Sequence, residues 1–98
     1  MKVTILDAAE KDLLDGFWFY ERQSPGLGSY FLDLIYSDID SLAEYGGIHQ
    51  VVLGHHRLLV KRFPFAVYYQ VREGQVLIMA VLDCRRNPSW IRQRLMSE

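Results

Sequence analysis

The run Val76-Leu77-Ile78-Met79-Ala80-Val81-Leu82 is apolar at every position. A strand with one wet face alternates polar and apolar residues, so an unbroken apolar run needs cover on both faces. It predicts a central strand over residues 75–83, between the Glu73-Gly74 turn signal and Asp83. Two further strands are expected upstream, at 55–62 and 66–72, with Phe63-Pro64-Phe65 as the turn between them. Together these segments read as an antiparallel meander. Val3–Leu6 forms a fourth short strand, a candidate neighbour for the central one.

The first half of the chain has helical spacing instead. Residues 8–22 place Leu13, Phe17 and Tyr20 on one stripe, with Asp7 and Glu10 forming a capping-box-like start. Ser24-Pro25 predicts a second helix start, a hydroxyl cap followed by proline in the first turn. Leu27, Phe31, Leu34, Ile35, Ile39 and Leu42 continue that helix until Gly46-Gly47 stops it. The short link between the two helices predicts an antiparallel hairpin. Residues 48–53 read as a connecting stretch. Asn87-Pro88 opens a short last helix reaching Met96. The expected architecture is α+β over one domain, residues 1–98: an N-terminal strand, a two-helix hairpin packed on an antiparallel sheet, and a short C-terminal helix.

Composition narrows the class. Half of the 98 residues are hydrophobic, enough for one modest core. Cys84 is the single cysteine, which excludes an internal disulfide and fits a reducing compartment. No apolar run approaches the roughly 20 residues of a membrane span, and the N-terminal run falls short of a signal peptide's roughly 7–15 apolar residues. The expected location is the cytoplasm, with no membrane partner. Charge is unevenly divided. Residues 1–53 carry Lys2, Lys11 and Arg22 against nine acids, a net of −6, whereas residues 54–98 carry eight Lys/Arg against Glu73, Asp83 and Glu98, a net of +5. A basic half of this kind suits an acidic protein or a nucleic acid.

Alternation within the strands sorts the candidate site residues. His56, Leu58 and Val60 point one way, towards the helix hairpin. His55, Arg57, Leu59 and Lys61 point the other way, onto an open sheet face shared with Ala66, Tyr68, Gln70, Arg72 and Arg85. A face carrying Arg57, Lys61, Tyr68 and Arg85 suits phosphates or carboxylates. Adjacent His55 and His56 face opposite sides, so they cannot share one metal, and no Cys/His spacing matches a zinc site. No metal or cofactor is expected. Arg85 and Arg86 follow Cys84 and are of the charge that lowers a thiol pKa, but no catalytic partner is evident, and Cys84 reads as an inert small residue at a strand end. Asp83 is expected to pair with Arg85 or Arg86 and fix the start of the last helix. Gly26 and Gly28 read as turn or packing residues. No phosphate loop or nucleophile elbow is present.

Several segments, in order, resemble the RelE/ParE toxin family of bacterial type II toxin–antitoxin systems over almost the full length. They are Asp12-Leu13-Leu14-Asp15, Tyr20-Glu21-Arg22-Gln23, Ser24-Pro25-Gly26-Leu27-Gly28, Arg62-Phe63-Pro64-Phe65 with Val67-Tyr68-Tyr69, and Ala80-Val81-Leu82-Asp83 with Arg85-Arg86-Asn87-Pro88-Ser89-Trp90. The likeness is greatest to the ParE-type branch. It implies a plasmid-stabilisation or stress-response toxin that inhibits DNA gyrase without chemistry of its own. A cognate antitoxin encoded beside it would neutralise it, and operator DNA would be bound only through that antitoxin. The resemblance puts the gyrase contact on Arg85, Arg86, Trp90, Arg92 and Arg94. Leu59, Ala66 and Tyr68, expected to be exposed on the open sheet face, would meet the antitoxin.

A RelE-like alternative is a ribosome-dependent endoribonuclease that cleaves mRNA, using Arg57, Lys61 and Arg85 on the scissile phosphate. Against it, Ala66 stands where that site has an arginine, and Ile91 where it has its C-terminal tyrosine. A third possibility is a non-toxic, antitoxin-binding remnant. A shared scaffold does not by itself fix the target.

Overall fold

A computed structural model of the protein describes residues 1–97. The chain runs β1 (Lys2–Ile5), α1 (Asp7–Glu21), α2 (Leu27–Tyr45), β2 (Val51–Val52), β3 (His55–Leu59), β4 (Phe65–Arg72), β5 (Gln75–Asp83) and α3 (Pro88–Met96). The strands form one five-stranded sheet in the order β1-β5-β4-β3-β2. β5 occupies the residues its apolar run predicted and lies inside the sheet. α1 and α2 form the expected hairpin on one face.

That hairpin and the sheet enclose the larger core, which includes Ala9, Leu13, Phe31, Ile35, Ile39, Val67, Tyr69, Val76, Ile78 and Val81. At one end Tyr20 packs against Phe31, Phe63 and Phe65, with ring centroids 5.1, 4.7 and 6.1 Å away. This aromatic cluster explains why the Phe-Pro-Phe turn is fixed: both of its phenylalanines are buried.

The sheet is mixed, not wholly antiparallel. β1 pairs in parallel with β5, Lys2 opposite Gln75 and Ile5 opposite Ile78. This direction lets the chain leave β1 beside Ile78 and turn at once into α1, which crosses β5. β2 was not foreseen, because two residues are too few to show a period. It pairs Val51 with His56 and Val52 with His55 across a tight turn in which Leu53 and Gly54 both have positive φ, 52° and 78°. The expected turn between β4 and β5 has the same form at Glu73 and Gly74. Such two-residue turns match strand twist. β3 stops at Leu59, short of the expected Arg62, where the chain bends into the aromatic turn.

Helix starts also differ in detail. Asp7 is the first residue of α1, and Leu6 is its N-cap. α2 begins at Leu27 with Gly26 as a left-handed N-cap (φ 89°). Ser24 does not cap it. The Glu21 carboxylate, arriving from the end of α1, accepts from the Gly26 and Gly28 backbone N–H groups at 3.0 and 2.9 Å. A side chain five or seven residues back falls outside the local capping rules. Gly28 lets the hairpin close, since a Cβ there would meet the Phe17 carbonyl at 2.6 Å.

The second sheet face is not open. α3 lays Leu95, Trp90 and Ile91 over Ala66, Tyr68, Ala80 and Leu82. Ala66 and Tyr68, expected at the surface, are 0% and 3% exposed; Leu59 alone of that trio is exposed. A β-bulge adjusts β5 to serve both layers. Tyr68 pairs with Ala80 but Tyr69 with Ile78, so Met79 is an extra residue. The bulge lets Val76, Ile78 and Val81 all reach the helix-side core while Ala80 and Leu82 face α3.

Candidate functional site

β1 ends opposite Ile78, so the last residues of β5 continue past it. Their free edge forms the floor of a groove of about 450 Å³ between α1 and α3. Asp12 on α1 organises this groove. Its Oδ2 accepts from the Val81 N–H of β5 at 3.0 Å. Both its oxygens also accept from Arg94 of α3, each at 2.8 Å. One carboxylate thus joins a helix, a strand edge and the terminal helix, and it keeps the Arg94 guanidinium firmly protonated. Neither the strand periodicity nor the helical stripe singles out Asp12; in the sequence it opens the Asp12-Leu13-Leu14-Asp15 segment, beside the buried stripe of α1, with no role attached to it.

The five expected target-binding residues are placed differently from one another. Arg86, Trp90 and Arg94 line the groove together. The Arg86 guanidinium lies 3.7 Å above the Trp90 ring and that of Arg94 lies 5.7 Å away, so the indole is flanked by two cations. Arg92 does not line this groove; it borders a second, shallow hollow of α3 together with Met96, Trp90 and Arg94. Arg85 stands at the end of β5, bound to Asp83 through Nε (3.0 Å) and Nη2 (2.7 Å), while its backbone N–H donates to the same carboxylate. Those hydrogen bonds hold the Asp83 carboxyl below its ordinary range. They also fix the turn into α3, where Asn87 Oδ1 caps the helix by accepting from the Ser89 N–H. Phe19, 49% exposed, also lines the groove and was not foreseen.

Arg57, Lys61 and Arg85 do not share one setting. Arg57 lies beside the Tyr68 phenol, whose pKa burial raises and the Arg57 charge partly offsets. Lys61 does not follow the strand onto the open face; it lies near Asp38 of α2, where its charge lowers a carboxyl pKa that burial raises. Arg85 is occupied by Asp83. Cys84 is exposed as a residue, yet desolvation of its thiol raises the pKa, with Arg57 as the opposing cation. Burial thus outweighs the lowering that neighbouring arginines could supply.

The histidines do divide across the sheet as expected. His55 is buried on the α3 side, while His56 stacks on Tyr69 in the helix-side core, centroids 5.0 Å apart. His56 Nδ1 donates to the His49 carbonyl at 2.7 Å, and His49 Nδ1 bonds the Tyr69 hydroxyl at 2.5 Å. Among the described residues no group of His, Cys, Asp and Glu could hold a metal ion, and no helix is long and apolar enough to cross a membrane.

This arrangement of strand, helix hairpin, meander and terminal helix can be compared with known proteins. The family model described as "ParE toxin of type II toxin-antitoxin system, parDE" matches residues 3–88. The chain belongs to the ParE toxin family. Among solved structures, a chain of the "Chromosomal ParDE TA system from P. aeruginosa" is similar in fold, with a TM-score of 0.72 at 21% identity. The match covers 83% of this chain and 92% of that one. No curated protein matches the sequence. The family match spans β1 to the first residue of α3, so the Asp83–Arg85 turn and Arg86 fall within it, while Trp90, Arg92 and Arg94 of the ParE-family chain lie beyond its end.

Proposed function

We propose that this ParE-family toxin acts by binding DNA gyrase rather than by cleaving RNA, and that a cognate antitoxin neutralises it. The observation that carries the reading is the Arg86–Trp90–Arg94 row along the α1–α3 groove, held in place by Asp12. Aromatic and arginine side chains fixed on a rigid element are the usual anchors of protein–protein contacts. Arg85, next to Arg86 at the end of β5, would extend the contact, and Arg92 would join it from the neighbouring hollow of α3. Phosphoryl transfer would instead need several groups converging on one phosphate. Arg57, Lys61 and Arg85 each serve a different neighbour, which weighs against the ribonuclease reading.

The antitoxin is proposed to meet the exposed Leu59 at the end of β3. It could reach Ala66 and Tyr68 only by displacing α3, because both lie beneath that helix. Operator DNA would be bound through the antitoxin. Purified toxin should inhibit gyrase supercoiling in vitro, and its induction in bacteria should stop DNA synthesis before protein synthesis. Protein synthesis falling first, with supercoiling unaffected, would reject the gyrase reading in favour of a ribosomal target.

A further inference from the structure

The α3 side of the sheet holds a further recess, of about 370 Å³. It lies beside the C-terminal end of α3 and shares only Ala8 and Arg94 with the lining of the α1–α3 groove. Leu77 and Met79 of β5 and Leu95 of α3 give it apolar walls, and its polar lining comes from His55, Arg72, Arg94 and Ser97. A concave site of this size, apolar with a few polar groups, has the make-up of a small-molecule pocket.

His55 decides what could fill it. The side chain is polar, yet only 4% exposed. Its Nδ1 lies 2.9 Å from the Leu53 carbonyl, which can only accept, so Nδ1 carries the proton. In the neutral ring Nε2 is then a bare acceptor, and it has no partner among the described residues. Buried polar atoms normally have one. The other polar side chains of the recess are occupied. Arg94 donates twice to Asp12, and the Ser97 hydroxyl donates to the Arg94 carbonyl at 3.4 Å. Arg72 is not free either. An anionic ligand would have to compete for these arginines, and a cationic one would be repelled by them. An uncharged molecule with a hydrogen-bond donor meets neither obstacle. Guanidinium planes and the Met79 thioether favour an aromatic ring.

We infer that this recess binds an uncharged mono- or bicyclic aromatic molecule whose N–H or O–H donates to His55 Nε2. The inference does not depend on which target Arg86 and Trp90 engage. The test is titration of the intact chain with indole, 1-methylindole and benzoate, followed by the NMR signals of the His55 ring and of the Met79 and Leu95 methyl groups. Indole should bind and shift all three. 1-Methylindole has nearly the same shape but no donor, so it should bind about tenfold more weakly. Benzoate should not displace indole. His55→Phe keeps an aromatic ring but removes the acceptor, so indole and 1-methylindole should then bind equally. Met79→Trp fills the recess and should abolish indole binding. Circular dichroism verifies the fold of each variant, and the comparison of indole with 1-methylindole needs no variant at all. Absence of indole binding would overturn the proposal, because water alone would then meet Nε2. Equal binding of the two indoles to the unaltered chain, displacement of indole by benzoate, or indole binding that survives Met79→Trp would overturn it as well.

Discussion

Replacing Asp12 with alanine removes more than an ion pair. The Val81 N–H loses its acceptor, and Arg94 loses both of its hydrogen bonds to the carboxylate. The Arg94 side chain is 27% exposed, so it can turn towards water, and its share of the loss is discounted for that screening. Val81 is 2% exposed and has no such escape. An unsatisfied buried donor costs about 1–3 kcal/mol, and the screened ion pair adds up to about 1 kcal/mol. Asp12→Ala should therefore cost about 2–3 kcal/mol. In a domain of this size that corresponds to a fall in Tm of roughly 10–20 °C. Arg94→Met is the control, since it removes the pair but leaves Asp12 bonded to Val81. It should cost about 1 kcal/mol or less. Urea denaturation followed by circular dichroism measures both. If Arg94→Met proved as costly as Asp12→Ala, or Asp12→Ala lay within about 0.5 kcal/mol of wild type, the strand-edge hydrogen bond would not be what holds α1 to β5.

Three further outcomes are expected. Gly16→Ala would bring a Cβ within 2.7 Å of the Phe31 ring, itself fully buried, and should cost about 1–3 kcal/mol in chemical denaturation. Leu95→Ala opens a cavity between α3 and the sheet beneath it; a loss of about 2–4 kcal/mol, with faster hydrogen exchange in α3, would confirm that this helix is held by the smaller core. Desolvation chiefly, with a lesser push from His56, lowers the His49 pKa below 6.5, so the folded state binds fewer protons than the unfolded state. The stability due to neutral His49 is present above pH 6.5 and is lost as the pH falls through that value towards the folded pKa. His49→Gln should flatten the stability profile over that window, and an unchanged slope would assign it to another group.

Where local pattern and tertiary demand agreed, the sequence was a good guide. The apolar run of β5, the Glu73-Gly74 turn, the Gly46-Gly47 stop and the Asn87-Pro88 start all lie where their residues indicated. The failures share one physical cause: each needed a partner distant in sequence or in the fold. Glu21 displaced Ser24 as the cap of α2 by reaching across the interhelix link. The direction of β1 was set by the helix that follows it. Tyr68 and Ala66 alternate onto the face that was expected, but exposure was judged without α3, whose Leu95 shields them. For the candidate site, Arg86, Trp90 and Arg94 were legible as a basic, aromatic stretch. Asp12, which ties Arg94 to α1, was not, because nothing in a helical stripe announces a contact 82 residues away.

That link separates two roles for the residues of α3, and Trp90 distinguishes them. Its ring is half-buried against the smaller core and also lies beneath the Arg86 guanidinium. Trp90→Leu keeps apolar cover over the sheet but removes the face on which Arg86 rests. A cation–π contact at an exposed site contributes about 0.5–1 kcal/mol, so the fold should lose little beyond that. Arg86 has no carboxylate partner among the described residues, in contrast to Arg85 and Arg94. Without the indole it becomes a mobile side chain, and ordering it on binding costs about 0.5–1.5 kcal/mol. Under the proposed gyrase reading, and with the lost indole contact itself, the variant should bind gyrase about tenfold more weakly or worse. Growth after induction and a supercoiling titration read this effect, while urea denaturation controls for stability. A variant that is stable and fully toxic would mean that the α1–α3 groove is not the contact surface. A variant that loses toxicity only in proportion to its folded fraction would assign Trp90 to the core alone.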